Sequence, residues 1–156
     1  NYNRKVIGFD TFEGFPSVTE GKDSSLKAGD YSVVENYEVF LKKVLDYHES
    51  ESPISHIKKY ELVKGDAVTT LEEYLNDNPE TIIAMAYFDF DIYKPTKKCL
   101  ELIKHHITKG TIIGFDELNV RQFPGETLAV REALGLDKYS IKRFPLSPLQ
   151  SYIVIE

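Results

Sequence analysis

The stretch that most constrains this chain is Thr81 to Thr96. There the apolar run Ile82-Ile83-Ala84-Met85-Ala86-Tyr87-Phe88 breaks abruptly into Asp89-Phe90-Asp91, followed by Ile92-Tyr93-Lys94-Pro95-Thr96. A short apolar run without alternation predicts a strand buried on both faces and emerging at its carboxyl end. Asp89 and Asp91 sit on that exit. A second run, Thr111 to Phe115, ends in the same way on Asp116 and Glu117. The spacing between the two leaves room for one crossover helix and a return strand, which makes them parallel neighbours. Two pairs of carboxyl groups therefore meet at one edge of the sheet, where open α/β folds place their ligands.

Four acids brought together repel one another. Such a cluster is tolerated only when it is solvated, partly protonated or neutralised by a cation. Mg²⁺ suits the last case, because it takes oxygen ligands at about 2.0–2.1 Å and keeps several waters. A metal held there binds two vicinal substrate oxygens and lowers the pKa of a hydroxyl, with Asp91 or Asp89 helping to remove the proton. The competing reading is a set of solvated acids at strand tips and helix N-termini.

The rest of the composition narrows the partners. At 156 residues, 42% hydrophobic and 12% aromatic, the chain fits one domain, 1–156, with a core of its own. A net charge of -6 argues against nucleic acid, whose phosphates call for clustered Lys and Arg. The single cysteine, Cys99, excludes an internal disulfide and fits a reducing compartment. No stretch approaches the roughly 20 apolar residues of a membrane span. The expectation is a soluble, cytoplasmic protein with neither a membrane nor nucleic acid as partner.

Taken in order, Lys5 to Phe9 forms a strand closing on Asp10, and Thr11 to Pro16 a structured turn. An acid at such a tip can accept hydrogen bonds from the hydroxyls of a nucleoside ribose. It can equally cap a turn. Ser17 to Tyr31 is a long polar loop, of a length that serves either as a lid or as a mobile excursion. Phe40, Leu41, Val44 and Leu45 recur at helical spacing behind Asn36 as N-cap, with the helix running to about His48. Tyr60 to Val63 is a short strand leading to Asp66, one strand along from Asp10. A helix from Thr69 or Thr70 to Leu75 follows, with Asp66 near its start. After the central strand, Leu100, Ile103 and Ile107 make one helical stripe behind Pro95, ending at Lys109-Gly110. His105 and His106 fall near the end of that helix and face different ways, so they are not metal ligands. Phe123-Pro124-Gly125 leads a last helix to about Leu134. Tyr139 to Phe144 and Ser151 to Ile155 form an antiparallel pair at a sheet edge.

These motifs together resemble the macrocin O-methyltransferase family. Gly-Phe-Asp-Thr-Phe-Glu-Gly-Phe-Pro at 8–16, Lys-Gly-Asp at 64–66, Phe-Asp-Phe-Asp-Ile-Tyr-Lys-Pro-Thr at 88–96 and Ile-Gly-Phe-Asp-Glu at 113–117 carry the resemblance, in order over nearly the whole chain. It implies a Rossmann-like class I methyltransferase sheet, mostly parallel with an antiparallel C-terminal strand. It also implies S-adenosylmethionine- and Mg²⁺-dependent methylation of a sugar hydroxyl. Carried over, Asp10 with Thr11 and Phe12 falls on the ribose of the cofactor, and Asp66 with Ala67 on its adenine. Asp89, Asp116 and Glu117 fall on the metal ligands, and Asp91 with Tyr93 on the substrate side, so that Asp89 and Asp91 are the candidate catalytic pair. The partner implied is a small sugar or glycoside. The family favours a homo-oligomer, although no apolar face in the linear sequence demands one.

The chain departs from the family in two places. Asp116-Glu117 stands where the family usually has two adjacent aspartates, and no Gly-x-Gly-x-x-Gly occurs anywhere. The expectation is that the chain is the C-terminal portion of a longer enzyme, lacking the first strand, its helix and the glycine-rich half of the cofactor pocket. The other reading is a complete, degenerate binding domain. Two further functions stay open: a metal-dependent glycosyltransferase using Asp-x-Asp, and a noncatalytic methyltransferase-like module.

Overall fold

The computed structural model describes residues 3–156. Strands and helices alternate as β1 (Val6–Asp10), α1 (Tyr37–Ser50), β2 (Tyr60–Lys64), α2 (Ala67–Asp77), β3 (Ile83–Phe88), α3 (Tyr93–Ile103), β4 (Ile107–Phe115) and α4 (Pro124–Ala133), then β5 (Lys142–Arg143) and β6 (Ser151–Val154). β1 pairs with β2 in parallel, and a separate four-stranded sheet has the order β3-β4-β6-β5. Within it β3 and β4 are parallel, while β6 runs antiparallel to both β4 and β5. The mostly parallel α/β architecture with an antiparallel end is the one expected.

The core lies where α2, α3 and α4 pack on one face of β3, β4 and β6. Leu100, Ile113, Phe115 and Ala129 are fully enclosed, and Phe88 stacks on Phe115 with ring centroids 5.8 Å apart. α4 begins with Pro124 in its first turn, where a missing N–H costs nothing. Gly135, at φ +80°, follows its end in the left-handed conformation that stops helices. α2 begins two or three residues earlier than its sequence pattern indicates. The Asp66 side chain accepts from the Val68 N–H (3.0 Å) and so nucleates the first turn.

Several expectations are corrected. β3 is not buried on both faces: Met85 is 60% exposed and Ile82, just before the strand, 75%. Its inner positions meet the helices, while the opposite side stands open among the described residues. Ile107 belongs to β4 rather than to the stripe of α3, which ends at Ile103. The register of β3 with β4 shifts between Ile83 and Met85, accommodated by Gly110 at φ +90°. His106 Nδ1 lies 3.0 Å from the Thr81 carbonyl and Thr111 Oγ1 donates to the Ile83 carbonyl, so polar contacts replace a helical turn there. α1 has no buried residue, and Asn36 at its start adopts a left-handed conformation without capping through its side chain. β5 is only two residues long, because Pro145 and Pro148 leave little backbone free to pair.

The two faces of β3 and β4 should therefore respond differently to substitution. Phe115→Ala is expected to cost about 3–5 kcal/mol by opening a cavity in a closed core. Met85→Thr, on the open side, is expected to stay within about 0.5 kcal/mol. Urea unfolding of the two variants checks the contrast.

Candidate active site

The parallel register brings Phe88 level with Phe115, so Asp89 and Asp116 leave the sheet side by side, and the Asp116 N–H donates to the Phe88 carbonyl (3.0 Å). Asp116 Oδ1 accepts from the Tyr87 hydroxyl and from Gln150 Nε2 (3.0 Å). Tyr87 reaches it by lying across Gly114, where an added Cβ would come within 2.7 Å of the ring. Residue 114 is thus a glycine because the neighbouring strand's tyrosine occupies the space.

Beyond Asp89 the chain turns sharply. Asp91 adopts a φ of 60°, in the left-handed region that aspartate tolerates better than most residues. The Ile92 N–H donates to the Phe90 carbonyl (2.6 Å). This turn carries the Asp91 carboxyl to Glu117, with which it shares a hydrogen bond. Burial raises the pKa of both above the usual carboxylate range, and the charges around them add to it. Asp89 adds most at Asp91, and Asp91 at Glu117. Asp89 is raised too, by burial first and then by the charges of Asp116 and Asp10.

The structure adds a fifth acid. Glu126, in the first turn of α4, is fully buried, and its Oε1 accepts from the Glu117 N–H (3.2 Å). Burial pushes its pKa up to about 8. Its Oε2 and that of Glu117 are enclosed and have no hydrogen-bond partner. Glu126 has no role in the reading of the sequence. The available signal was its place in the first turn after Phe123-Pro124-Gly125, since a helix start facing a strand tip aims early residues at it.

A cleft of about 270 Å³ opens beside these acids, lined by Asp89, Asp91, Ile92 and Pro95 on one side and by Asp10, Thr11, Asp66 and Ala67 on the other. Phe15, Pro16 and Tyr31 close it from the loop side. Of the sequence-derived cofactor residues, Asp10, Thr11, Asp66 and Ala67 therefore share one cleft with Asp89 and Asp91, and Phe12 does not line it. Asp10 Oδ1 also caps its own turn by accepting from the Phe12 N–H (2.6 Å), and Asp66 caps α2. A cleft of about 330 Å³ lined by Lys5, Lys42, Lys58 and Tyr60 lies at the opposite, amino ends of β1 and β2 and holds none of the clustered acids. Among the described residues, no group of three or more His, Cys, Asp or Glu side chains is arranged ready to hold a metal ion. The acids are paired with one another and with Tyr87 and Gln150 instead. Tyr93 stands off this group, its hydroxyl donating to Glu132 (2.5 Å).

Glu126 gives a pH test. Its folded pKa of about 8 lies above the ordinary value of 4.5 that it has when unfolded. A carboxyl shifted in this direction stabilises the fold fully below the unfolded value, and that stability is lost as pH rises toward the folded one. Glu126→Gln keeps the shape without the titration. In the presence of a chelator, the variant is expected to lose less stability than the parent between those two pH values, as read by urea unfolding.

The described chain is similar to several solved structures. CalS11, a calicheamicin methyltransferase, superposes with a TM-score of 0.94 at 42% identity over 99% of this chain and 61% of its own. The apo form of CalS11, described as a TDP-rhamnose 3'-O-methyltransferase in calicheamicin biosynthesis, gives 0.83 and 39% over 99% of this chain and 59% of that one. The O-methyltransferase NovP gives 0.72 at 18% identity over 98% and 60%, a likeness of fold alone. This chain thus spans about three fifths of the length of each. No family model matches it, and no curated protein does. Its structural neighbours are O-methyltransferases, CalS11 being one that acts on a nucleotide-linked sugar, and the chain itself has their α/β methyltransferase fold.

Proposed function

We propose that this chain belongs to an S-adenosylmethionine-dependent sugar O-methyltransferase of the macrocin type, working with a divalent cation. The observation that carries the reading is the cleft that unites Asp10 and Asp66 with Asp89 and Asp91, beside Asp116 and Glu117. CalS11, whose described substrate is TDP-rhamnose, supports a sugar carried on a nucleotide as acceptor.

In this reading Asp10 accepts from the ribose hydroxyls, through the carboxyl oxygen that its own turn leaves free, with Thr11 and Phe12 shaping the turn. Asp66 and Ala67 meet the adenine. When bound, S-adenosylmethionine supplies an electrophilic methyl group on a sulfonium centre. Ile92, Pro95 and Phe15 give the cleft an apolar wall, and alignment of the acceptor with the methyl group supplies most of the acceleration.

The donor set fits a hard cation. It is all carboxylate, and it is crowded enough to hold protons that a cation would displace. It also contains an enclosed Glu117 oxygen without a partner. Asp89, Asp116 and Glu117 would hold Mg²⁺, with Glu117 first releasing Asp91. The ion would lower the pKa of an acceptor hydroxyl. Tyr87 and Gln150 fix one oxygen of Asp116 and leave the other free to ligate, the kind of outer contact that orients metal ligands. Asp91 takes the hydroxyl proton. Its raised pKa makes it a stronger base than an ordinary carboxylate, nearer the strength useful around neutral pH.

Asp89→Asn and Asp116→Asn are expected to lower methyl transfer to a nucleotide sugar by about a hundredfold or more, as loss of several kcal/mol of charge stabilisation implies. Binding of S-adenosylhomocysteine, measured by calorimetry, should stay nearly unchanged. Transfer that persisted in a chelator would remove the cation from the scheme. Binding of a nucleoside diphosphate with Mn²⁺ and none of S-adenosylhomocysteine would replace the scheme with glycosyl transfer.

A further inference from the structure

Residues 17–31 read as a featureless polar stretch, yet in the structure they form a closed loop with a defined neck. The Phe15 N–H donates to the Asp30 carbonyl (3.0 Å) and the Gly29 N–H to the Phe15 carbonyl (2.9 Å). Gly14, at φ +81°, lies so close to this neck that a Cβ would come within 2.4 Å of the Asp30 oxygen. Tyr31 packs against Phe15 and Phe123, with ring centroids 5.3 and 6.5 Å away, and together with Phe15 and Pro16 it roofs the cleft.

The far end of the loop is held by one carboxylate. Asp23 is 2% exposed, the most enclosed acid outside the cluster. Its Oδ2 accepts from the Thr19 N–H (2.5 Å) within the loop, and its Oδ1 from the Tyr93 N–H (2.7 Å), the first residue of α3. Ile92, the N-cap of α3, has no side chain able to cap, so Asp23 serves that helix from outside. The fit is tight. A Cβ on Gly125 would lie 2.2 Å from Asp23 Oδ1 and 2.6 Å from the Tyr93 nitrogen, so the start of α4 closes over the same junction. Around it Lys22 reaches Glu132 (3.1 Å) and sits 3.5 Å over the Tyr93 ring, while Lys97 meets Glu132 at 2.7 Å. Those outer pairs are partly exposed and individually weak. The enclosed carboxylate is different, because a buried donor left without its acceptor is costly.

From Tyr93 the chain leads back through Ile92 to Asp91, the left-handed residue whose carboxyl meets Glu117. We infer that Asp23 is a positioning residue: it fastens the roof of the cleft to the Asp91 turn, so that a settled roof and a correctly aimed Asp91 come together. Its consequence for catalysis rests on the methyl-transfer reading above. Asp23 touches neither cofactor nor acceptor; it acts through Tyr93 and Asp91.

The test is nuclear magnetic resonance on the enzyme that contains this chain, carrying Asp23→Ala or Asp23→Asn, joined to calorimetry and initial rates. Asp23→Ala is expected to speed amide exchange at both Thr19 and Tyr93 by about tenfold or more, the signature of local opening, with β4 unaffected. It should also move the side-chain carboxyl-carbon resonance of Asp91. Asparagine has one acceptor oxygen, so Asp23→Asn should keep one of the two amides protected and release the other. In transfer assays, kcat should fall by about tenfold to a hundredfold, the scale of a misplaced reacting group, with the KM for S-adenosylmethionine within about twofold. Unchanged exchange at Thr19 and Tyr93 overturns the junction. Faster exchange with an unmoved Asp91 resonance, or with unchanged kcat, makes Asp23 a simple cap and overturns the positioning role. A parent enzyme, carrying the expected upstream half of the cofactor pocket, that neither binds S-adenosylhomocysteine nor transfers methyl overturns the methyl-transfer reading by itself, while exchange and the Asp91 resonance still decide the junction.

Discussion

The parallel pairing of β3 with β4 fixes everything that follows. It sets Phe88 beside Phe115, and because the two rings stack in the closed core, neither strand can slip without exposing one of them. A shift of one residue would turn every side chain to the other face. With the rings fixed, the residues after them have no choice of level, and Asp89, Asp91, Asp116 and Glu117 leave the sheet together. Repulsion among them is the direct result. At an effective dielectric of about 20, two such charges about 4 Å apart repel by roughly 4 kcal/mol. The fold relieves this locally. Asp91 and Glu117 share a hydrogen bond, burial pushes the pKa of Glu126 up to about 8, and Asp116 receives donors from Tyr87 and Gln150.

This relief explains why five acids can be gathered without a ready-made cation cage. Protons and a divalent ion are alternative answers to the same electrostatic problem. In the arrangement of the structure Glu117 faces Asp91, and among the described residues no three of the acids are set to hold a cation. In the arrangement proposed for catalysis Glu117 would turn outward and Asp91 would be left as a base. The enclosed, unpartnered oxygens of Glu117 and Glu126 belong to the first arrangement, and they are where it is least satisfied.

The strand tips were legible in the sequence because they depend on local pattern. An apolar run that ends in acids announces both the strand and its exit, and Asp10, Asp89 and Asp116 stand at the ends of β1, β3 and β4. The contribution of β6 was legible for a similar reason, Pro145 and Pro148 marking the turn before it. What escaped depends on contacts far apart in the chain. The open side of β3 could not be read, since Met85 is as apolar as a buried residue and only the absence of a neighbour on that side distinguishes it. The end of α3 was misplaced because Ile107 continues the helical spacing of Leu100 and Ile103, and only pairing with Ile83 claims it for β4. Gln150 reaches Asp116 from 34 residues away and Asp23 reaches Tyr93 from 70. No window along the sequence contains both members of either pair.

Asp23 shows what such remote contacts add. The strand tips specify which groups are present, but the direction of Asp91 depends on a turn whose central residue is in a conformation of limited stability on its own. Such a turn persists only if both of its ends are held. One end is the β3–β4 pairing, which the core secures. The other is the Tyr93 amide, and it is secured by Asp23 of the loop. The far end of the loop and the start of α3 can release together, because the Thr19 and Tyr93 bonds share the same side chain. In the inference drawn above, the loop that covers the cleft and the turn that aims its base are therefore joined at one point, the Asp23 carboxylate.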